Sequence, residues 1–198
     1  DVGMLDCQLA VLENAISRYT TSGIVPKPLG NRHPSITPFA SFTAKDGHII
    51  VGAGNDRLWE KLCNILGCPE LIQDPRFDNN GNRTTHPVEL QHILDGIFKA
   101  KTIAEWLELL EKAELPCAPI NTVDKIINDP HIKAREMMIE LEHPVAGHLK
   151  MAGVPVKMSA TPGAVEKPAP MLGQHTAEIL KELFGWDEEK TQRFFTQN

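Results

Sequence analysis

No apolar run of roughly 18 residues or more occurs in the 198-residue sequence, so no membrane-spanning helix is predicted. Blocks of like charge longer than a few residues are also missing. The total is mildly acidic, −6 with a pI of about 5.7. A nucleic-acid partner would want a basic face, so none is expected. A small anionic ligand stays open, because local basic groups outvote a mildly acidic total. Metal-ligand spacing is lacking too. Cys63 and Cys68 stand five apart on a helix end, Cys7 and Cys117 are isolated, and the eight histidines form no H-x-H or H-x-x-x-H pair. No metal site is expected. Four unpatterned cysteines fit reduced thiols in a cytoplasmic compartment. No internal repeat is present, and no basic or apolar targeting segment follows Asp1. The expectation is a piece of something longer.

What remains is the balance of a globular protein, 41% hydrophobic and 23% charged. Val2, Leu5, Leu9, Leu12, Ile16 and Tyr19 recur at helical steps and predict a first helix, stopped by Gly23. Pro26, Pro28, Gly30 and Pro34 make the next stretch an extended loop. Phe39 and Phe42, then Asp46-Gly47, then Ile49-Ile50-Val51 predict a hairpin. Asn55 is placed to cap a helix over 56–66, with Leu58, Leu62 and Ile65 inward and Gly67 as its stop. Asn79 to Arg83 reads as loop, and Pro87 opens a helix carrying Leu90, Ile93, Leu94 and Ile97. Thr102 and Glu105 form a capping box before a helix with Trp106, Leu109 and Leu110 inside. Asp129-Pro130 starts a short helix, and Ile139 to Met151 reads as a second hairpin turning at His143 to Gly147. Pro155, Pro162, Pro168 and Pro170 stiffen 153–171, before helices from Thr176 and Asp187. The fold class is therefore α/β, in the sense of short antiparallel hairpins with packed helices. A compact unit over about 36–145 lies between two proline-rich crossings, with an amphipathic helix outside each.

Several segments, in order, carry a resemblance. They include Gly30-Asn31-Arg32-His33-Pro34, Val51-Gly52-Ala53-Gly54-Asn55, Asp74-Pro75-Arg76-Phe77, Asp129-Pro130, His143-Pro144 with Gly147, and Leu172-Gly173-Gln174-His175-Thr176. Together they make the chain resemble the C-terminal half of a family III CoA-transferase, over nearly its whole length. The resemblance implies that 1–24 is a helix belonging to a Rossmann-like large domain and 25–35 a crossing loop. It makes 36–145 the small α/β domain, 146–171 the return crossing, and 172–198 helices returning to the large domain. It also implies transfer of CoA between small carboxylates or dicarboxylates through an aspartyl-CoA intermediate. The nucleophilic aspartate would lie upstream of Asp1, so no catalytic residue is expected in this chain. Coenzyme A and acyl-CoA would be substrates, with no tightly bound cofactor, and the complete enzyme would be an interlocked homodimer.

Each step of such a transfer passes through a tetrahedral oxyanion that positioned N–H donors must stabilise. Gly30 lets backbone approach a ligand closely, and Arg32 has the fork that holds a carboxylate. His33, before Pro34, is biased to extended backbone and is placed to line the acyl pocket. The candidate active-site loop is thus Gly30, Asn31, Arg32 and His33. Two other readings stand beside this one. In the related α-methylacyl-CoA racemases a catalytic glutamate occupies the position of Asn55, and an amide supplies no base for an α-proton. The other is a non-catalytic assembly module reusing the fold. Asp6, Asp56 and Asp124 have no base, metal or oxyanion neighbour suggested by spacing. Asp78-x-Asn80-x-Asn82 lacks the glycine and closing glutamate of a calcium loop.

Overall fold

The computed structural model describes residues 1–197, which fall into two units, Asp1–Ile120 and the stretch from Asn121 onward. The first opens with helices α1 (Met4–Val11) and α2 (Glu13–Ser22). One uninterrupted helix is predicted here, but Leu12 leaves the helical region at φ −84°, ψ 8°. Its N–H is shared between Gln8 O at 3.3 Å and Leu9 O at 3.1 Å, the bifurcated pattern of a helix end. Gly23 stops α2 in the left-handed region, as its position requires. Neither helix buries a side chain, and Leu5 and Leu9 stay 81% and 58% exposed.

The core is built on a three-stranded antiparallel sheet, in the order β1 (Phe39–Ala44), β2 (Gly47–Gly52), β3 (Cys117–Pro119). Asp46-Gly47 turns β1 into β2, pairing Ala44 with Gly47 and Phe39 with Gly52. Strand alternation puts Ala40, Phe42, Ala44, Ile49 and Val51 on one buried face. Against that face pack α3 (Asp56–Leu66), α5 (Pro87–Phe98) and α6 (Ile103–Lys112), with the short α4 (Asn80–Thr85) leading into α5. Phe42 stacks on Phe98 at 4.9 Å between centroids, and Trp106 meets Phe98 edge-on at 5.1 Å. The Trp106 indole N–H donates to Phe98 O at 2.8 Å, so the ring is buried without an orphaned donor.

Local signals set most boundaries. The Asn55 side chain accepts from Leu58 N at 2.9 Å, and Gly67 ends α3 at φ +74°. Both halves of the Thr102–Glu105 capping box are present. Departures from expectation are tertiary in origin. Residues 80–85 are helical rather than loop, because Asn79 caps the segment through Asn82 N and Arg83 ties its end into the core. Leu109 faces out at 40% exposure, while Trp106 and Leu110 fill the inward face. On α3, Trp59, Cys63 and Leu66 are buried alongside Leu62, with Leu58 and Ile65 packed at the margin.

The second unit holds α7 (Val123–Ile126), α8 (Pro130–Ala134), the hairpin β4 (Met138–His143) and β5 (Gly147–Ala152), then α9 (Thr176–Phe184) and α10 (Glu188–Gln197). Asp129 caps α8 by accepting from His131 N at 2.8 Å. His143 Nδ1 shapes the hairpin turn by accepting from Val145 N and Ala146 N, with Gly147 at φ +72°. No regular element forms between Gly153 and Met171.

Candidate active-site loop on the edge of the small sheet

The predicted site residues lie together on the loop that enters β1. Gly30 sits at φ +67° with open space where a Cβ would project, so torsion and not crowding demands glycine. Among the described residues, the backbone N–H groups of Gly30 and Asn31 meet no hydrogen-bond acceptor, while Arg32 N–H turns back toward Leu29 O to close the turn at Gly30-Asn31. The loop is nonetheless held. His33 N donates to Phe39 O at 2.9 Å, and the His33 ring lies parallel to Phe39 at 5.4 Å. Asn31 Nδ2 donates to the Ser41 hydroxyl. His33 Nδ1 accepts from Ser35 N at 3.2 Å, which leaves the proton of the neutral imidazole on Nε2. Arg32 Nε reaches Leu29 O at 3.5 Å, the limit of a hydrogen bond. Its terminal guanidinium nitrogens meet no acceptor among the described residues.

Two spaces flank the loop. A groove of about 530 Å³ runs along Gly30, Asn31 and Arg32, past Ser41 and Thr43 of β1, to Gln91 and Asp95 of α5. His48, the register partner of Thr43, and His92 complete its polar wall. A smaller cavity of about 120 Å³ has Arg32 and His33 in its lining, with Phe42, Leu90 and Leu94 as apolar walls. Arg32 therefore borders both spaces, His33 only the second.

The residues of α5 in this site carry no local sequence signature. Gln91 Nε2 donates to Ser41 O at 3.0 Å and to Asp95 Oδ2 at 3.2 Å, while Thr43 N donates to Asp95 Oδ1 at 2.9 Å. The outer edge of β1 is thus bonded to side chains where another strand would lie. Arg83 is a second residue the sequence reading missed. Its guanidinium is fully buried, donating to Thr37 O at 2.6 Å, Phe77 O at 2.9 Å and Asp56 Oδ1 at 2.6 Å, with the Trp59 ring 5.1 Å away. Asp56 accordingly has a cationic neighbour that its spacing did not suggest. Asp78 Oδ1 accepts from Asn79 Nδ2 and Asn82 Nδ2, each at 2.8 Å, which commits that oxygen to its own turn.

The family model described as CoA-transferase family III matches residues 1–176. The chain belongs to that family. It is 35% identical over 188 residues to the succinyl-CoA:glutarate CoA-transferase of Homo sapiens, covering 95% of this chain and 43% of the relative. It is 37% identical over 184 residues to the acetyl-CoA:oxalate CoA-transferase of Acetobacter aceti, covering 92% and 46%. A solved CAIB/BAIF family protein from Brucella suis superposes with a TM-score of 0.74 at 35% identity, over 90% of this chain and 46% of that one. The chain spans less than half the length of the curated family members it matches here. The fold class expected from sequence, helices with small antiparallel sheets, is that of its family neighbour. Within the family frame, Asn55 serves as the N-cap of α3, its side-chain oxygen already occupied by Leu58 N–H.

Proposed function

We infer that the chain is the C-terminal portion of an acyl-CoA:carboxylate CoA-transferase acting on small dicarboxylates, with the Gly30–His33 loop at its reacting centre. The observation that carries this reading is the pinned Gly30 turn, with the Gly30 and Asn31 N–H groups unengaged and the terminal guanidinium nitrogens of Arg32 uncommitted beside a polar groove. Those donors suit the oxygen of a tetrahedral intermediate and a carboxylate respectively. The relatives named for glutarate and oxalate transfer support dicarboxylates as the acceptor class.

In this reading an aspartate of the large domain attacks the acyl-CoA thioester carbonyl, forming an aspartyl–acyl anhydride and expelling CoA thiolate. The thiolate attacks the aspartyl carbonyl, releasing the donor acid and leaving aspartyl-CoA. The acceptor carboxylate reverses the sequence on its own behalf and leaves as the new thioester. Each attack places negative charge on a carbonyl oxygen, where the loop N–H groups act. The nucleophile and most CoA contacts belong to the large domain, so the 198-residue chain alone is expected to be inactive. We place the complete enzyme in the cytoplasm as an interlocked homodimer, with no resident cofactor. The domain frame that goes with it is 1–24, 25–35, 36–145, 146–171 and 172–198, as read from the sequence.

Kinetics of the complete enzyme test the loop. A β-branched residue at the φ of Gly30 is a genuine outlier, so Gly30→Val displaces the turn. Loss of an oxyanion donor typically costs about 10²–10³ in rate, and kcat should fall by that order with little change in the acyl-CoA KM. Arg32→Ala should instead raise the dicarboxylate acceptor KM, and less so for a monocarboxylate. A Gly30→Val enzyme within a few-fold of the parent kcat would reduce the loop to a connector.

A further inference from the structure

Helix α4 holds the segment that joins the candidate loop to β1. Asn80 meets the segment Ser35–Thr37 with both ends of its amide, Nδ2 donating to Ser35 O at 2.9 Å and Oδ1 accepting from Thr37 N at 3.1 Å. The arrangement copies the paired bonds of an adjacent strand, using one side chain. Three residues on, Arg83 Nε donates to Thr37 O at 2.6 Å, and Thr84 Oγ1 lies 3.3 Å from Thr37 Oγ1. Four bonds from three residues of one short helix therefore fix Ser35 and Thr37. This segment links the His33 end of the loop to β1, and Thr37 and Thr84 both line the apolar cavity beside Arg32 and His33. Arg83 is itself immobilised, buried and bonded to Phe77 O and Asp56.

We propose that α4 is a clasp that sets the position of the Gly30–His33 loop for reaction, with Asn80 and Arg83 as its positioning residues. The proposal rests on the reading of that loop as part of the reacting centre. Neither residue reaches substrate. They act by fixing Thr37, five residues beyond Arg32, so that the loop N–H groups keep their place relative to the reacting carbonyl. Misplacement of about 1 Å from a site remote from the chemistry costs up to 10²-fold in rate, which sets the scale.

Asn80 is the residue to change, because it is half-buried and outside the hydrophobic core, so its truncation leaves the fold intact. In the complete enzyme, Asn80→Ala should accelerate amide exchange at Thr37 and lower kcat about 10- to 100-fold, with acyl-CoA KM within twofold. The Gly30→Val and Asn80→Ala effects on kcat should be less than multiplicative in the double variant, since both act through one loop. Arg83→Lys, which retains a donor for Thr37 O, should lose less kcat than Arg83→Met. If Gly30→Val lowers kcat and Asn80→Ala leaves it unchanged, the clasp is overturned while the loop reading survives. If Gly30→Val itself has no effect, the loop reading falls and the clasp's role in reaction falls with it. Faster Thr37 exchange with an unchanged kcat would mark α4 as structural support only, and would also overturn the proposal.

Discussion

Replacing Arg83 by methionine isolates the energetic role of the one fully buried cation among the described residues. Methionine is similar in length and lies easily against Trp59, so little volume is lost. What disappears is three donated bonds, to Thr37 O at 2.6 Å, Phe77 O at 2.9 Å and Asp56 at 2.6 Å. Asp56 has 56% of its side chain exposed, so water replaces the guanidinium there cheaply. The two carbonyls are less fortunate. A buried acceptor left unpaired costs about 1–3 kcal/mol, with part-buried Thr37 O at the low end. Against this stands the desolvation of a guanidinium that no longer has to be buried, a gain of the same order. Two lost carbonyl bonds outweigh that single gain, so the net expected is a loss of about 1–2 kcal/mol. Urea unfolding followed by tryptophan fluorescence reads this directly, since Trp59 lies beside the substituted group. With a urea slope of about 1–3 kcal/mol/M, the midpoint should fall by roughly 0.5–1 M at unchanged slope. Arg83→Lys should fall between parent and Met. A midpoint for Arg83→Met within about 0.3 M of the parent, at unchanged slope, would refute the reasoning, because the two carbonyls would then have found other donors.

Asp74 provides a pH signature. The Arg76 side chain, helped by the Arg76 backbone N–H, holds its carboxyl down to about 2 from an ordinary 3.8. A lowered folded value contributes stability above the unfolded value and loses it as pH falls through the folded one. The difference in Tm between parent and Asp74→Asn should be level above about pH 4 and shrink toward pH 2; a difference unchanged over that interval would contradict the assignment. The thiols give a further check on packing. In the native 198-residue chain Cys7 should react first with a disulfide reagent, since it is exposed. Cys117 should follow slowly because burial, with the charge of Glu111, pushes its thiol up. Cys63 and Cys68, at 0% and 4% exposure, should react only on unfolding. Mass spectrometry of labelled peptides separates the four, and Cys63 labelling at the rate of Cys7 would overturn the described core.

Elements whose limits are written locally were legible in the sequence. Asn55 and Gly67 bracket α3, Pro87 opens α5, and Thr102 with Glu105 starts α6, each through groups within a turn of one another. The elements that escaped depend on distant partners. Asn80-Gly81-Asn82 is poor helix sequence, and α4 exists because Arg83 is anchored at Thr37 and Phe77. β3, three residues ending in a proline, becomes a strand only through register with Ile49, Ile50 and Val51 of β2. The same division holds at the site. Gly30, Asn31, Arg32 and His33 are contiguous, so one stretch of sequence named them together, though the left-handed turn at Gly30 was not read from it. Gln91 and Asp95 meet β1 from about fifty residues away, and nothing in their local sequence marks that meeting.

The side chains along β1 have a consequence beyond the groove they shape. An outermost strand with free amides and carbonyls invites another chain to add itself, the first step of misassembly. Here Phe39 O is taken by His33, Ser41 O by Gln91, Thr43 N by Asp95, and Lys45 N by Lys101 O. On the far side, β3 is short and Pro119 has no N–H to offer. Under the proposed function, substrate room and colloidal safety are therefore written in the same residues. A variant that enlarges the groove by trimming Asp95 or Gln91 also uncovers Thr43 N or Ser41 O. Engineers widening the acceptor range from this wall should screen for aggregation alongside turnover, whereas changes at Arg32 leave the strand edge covered.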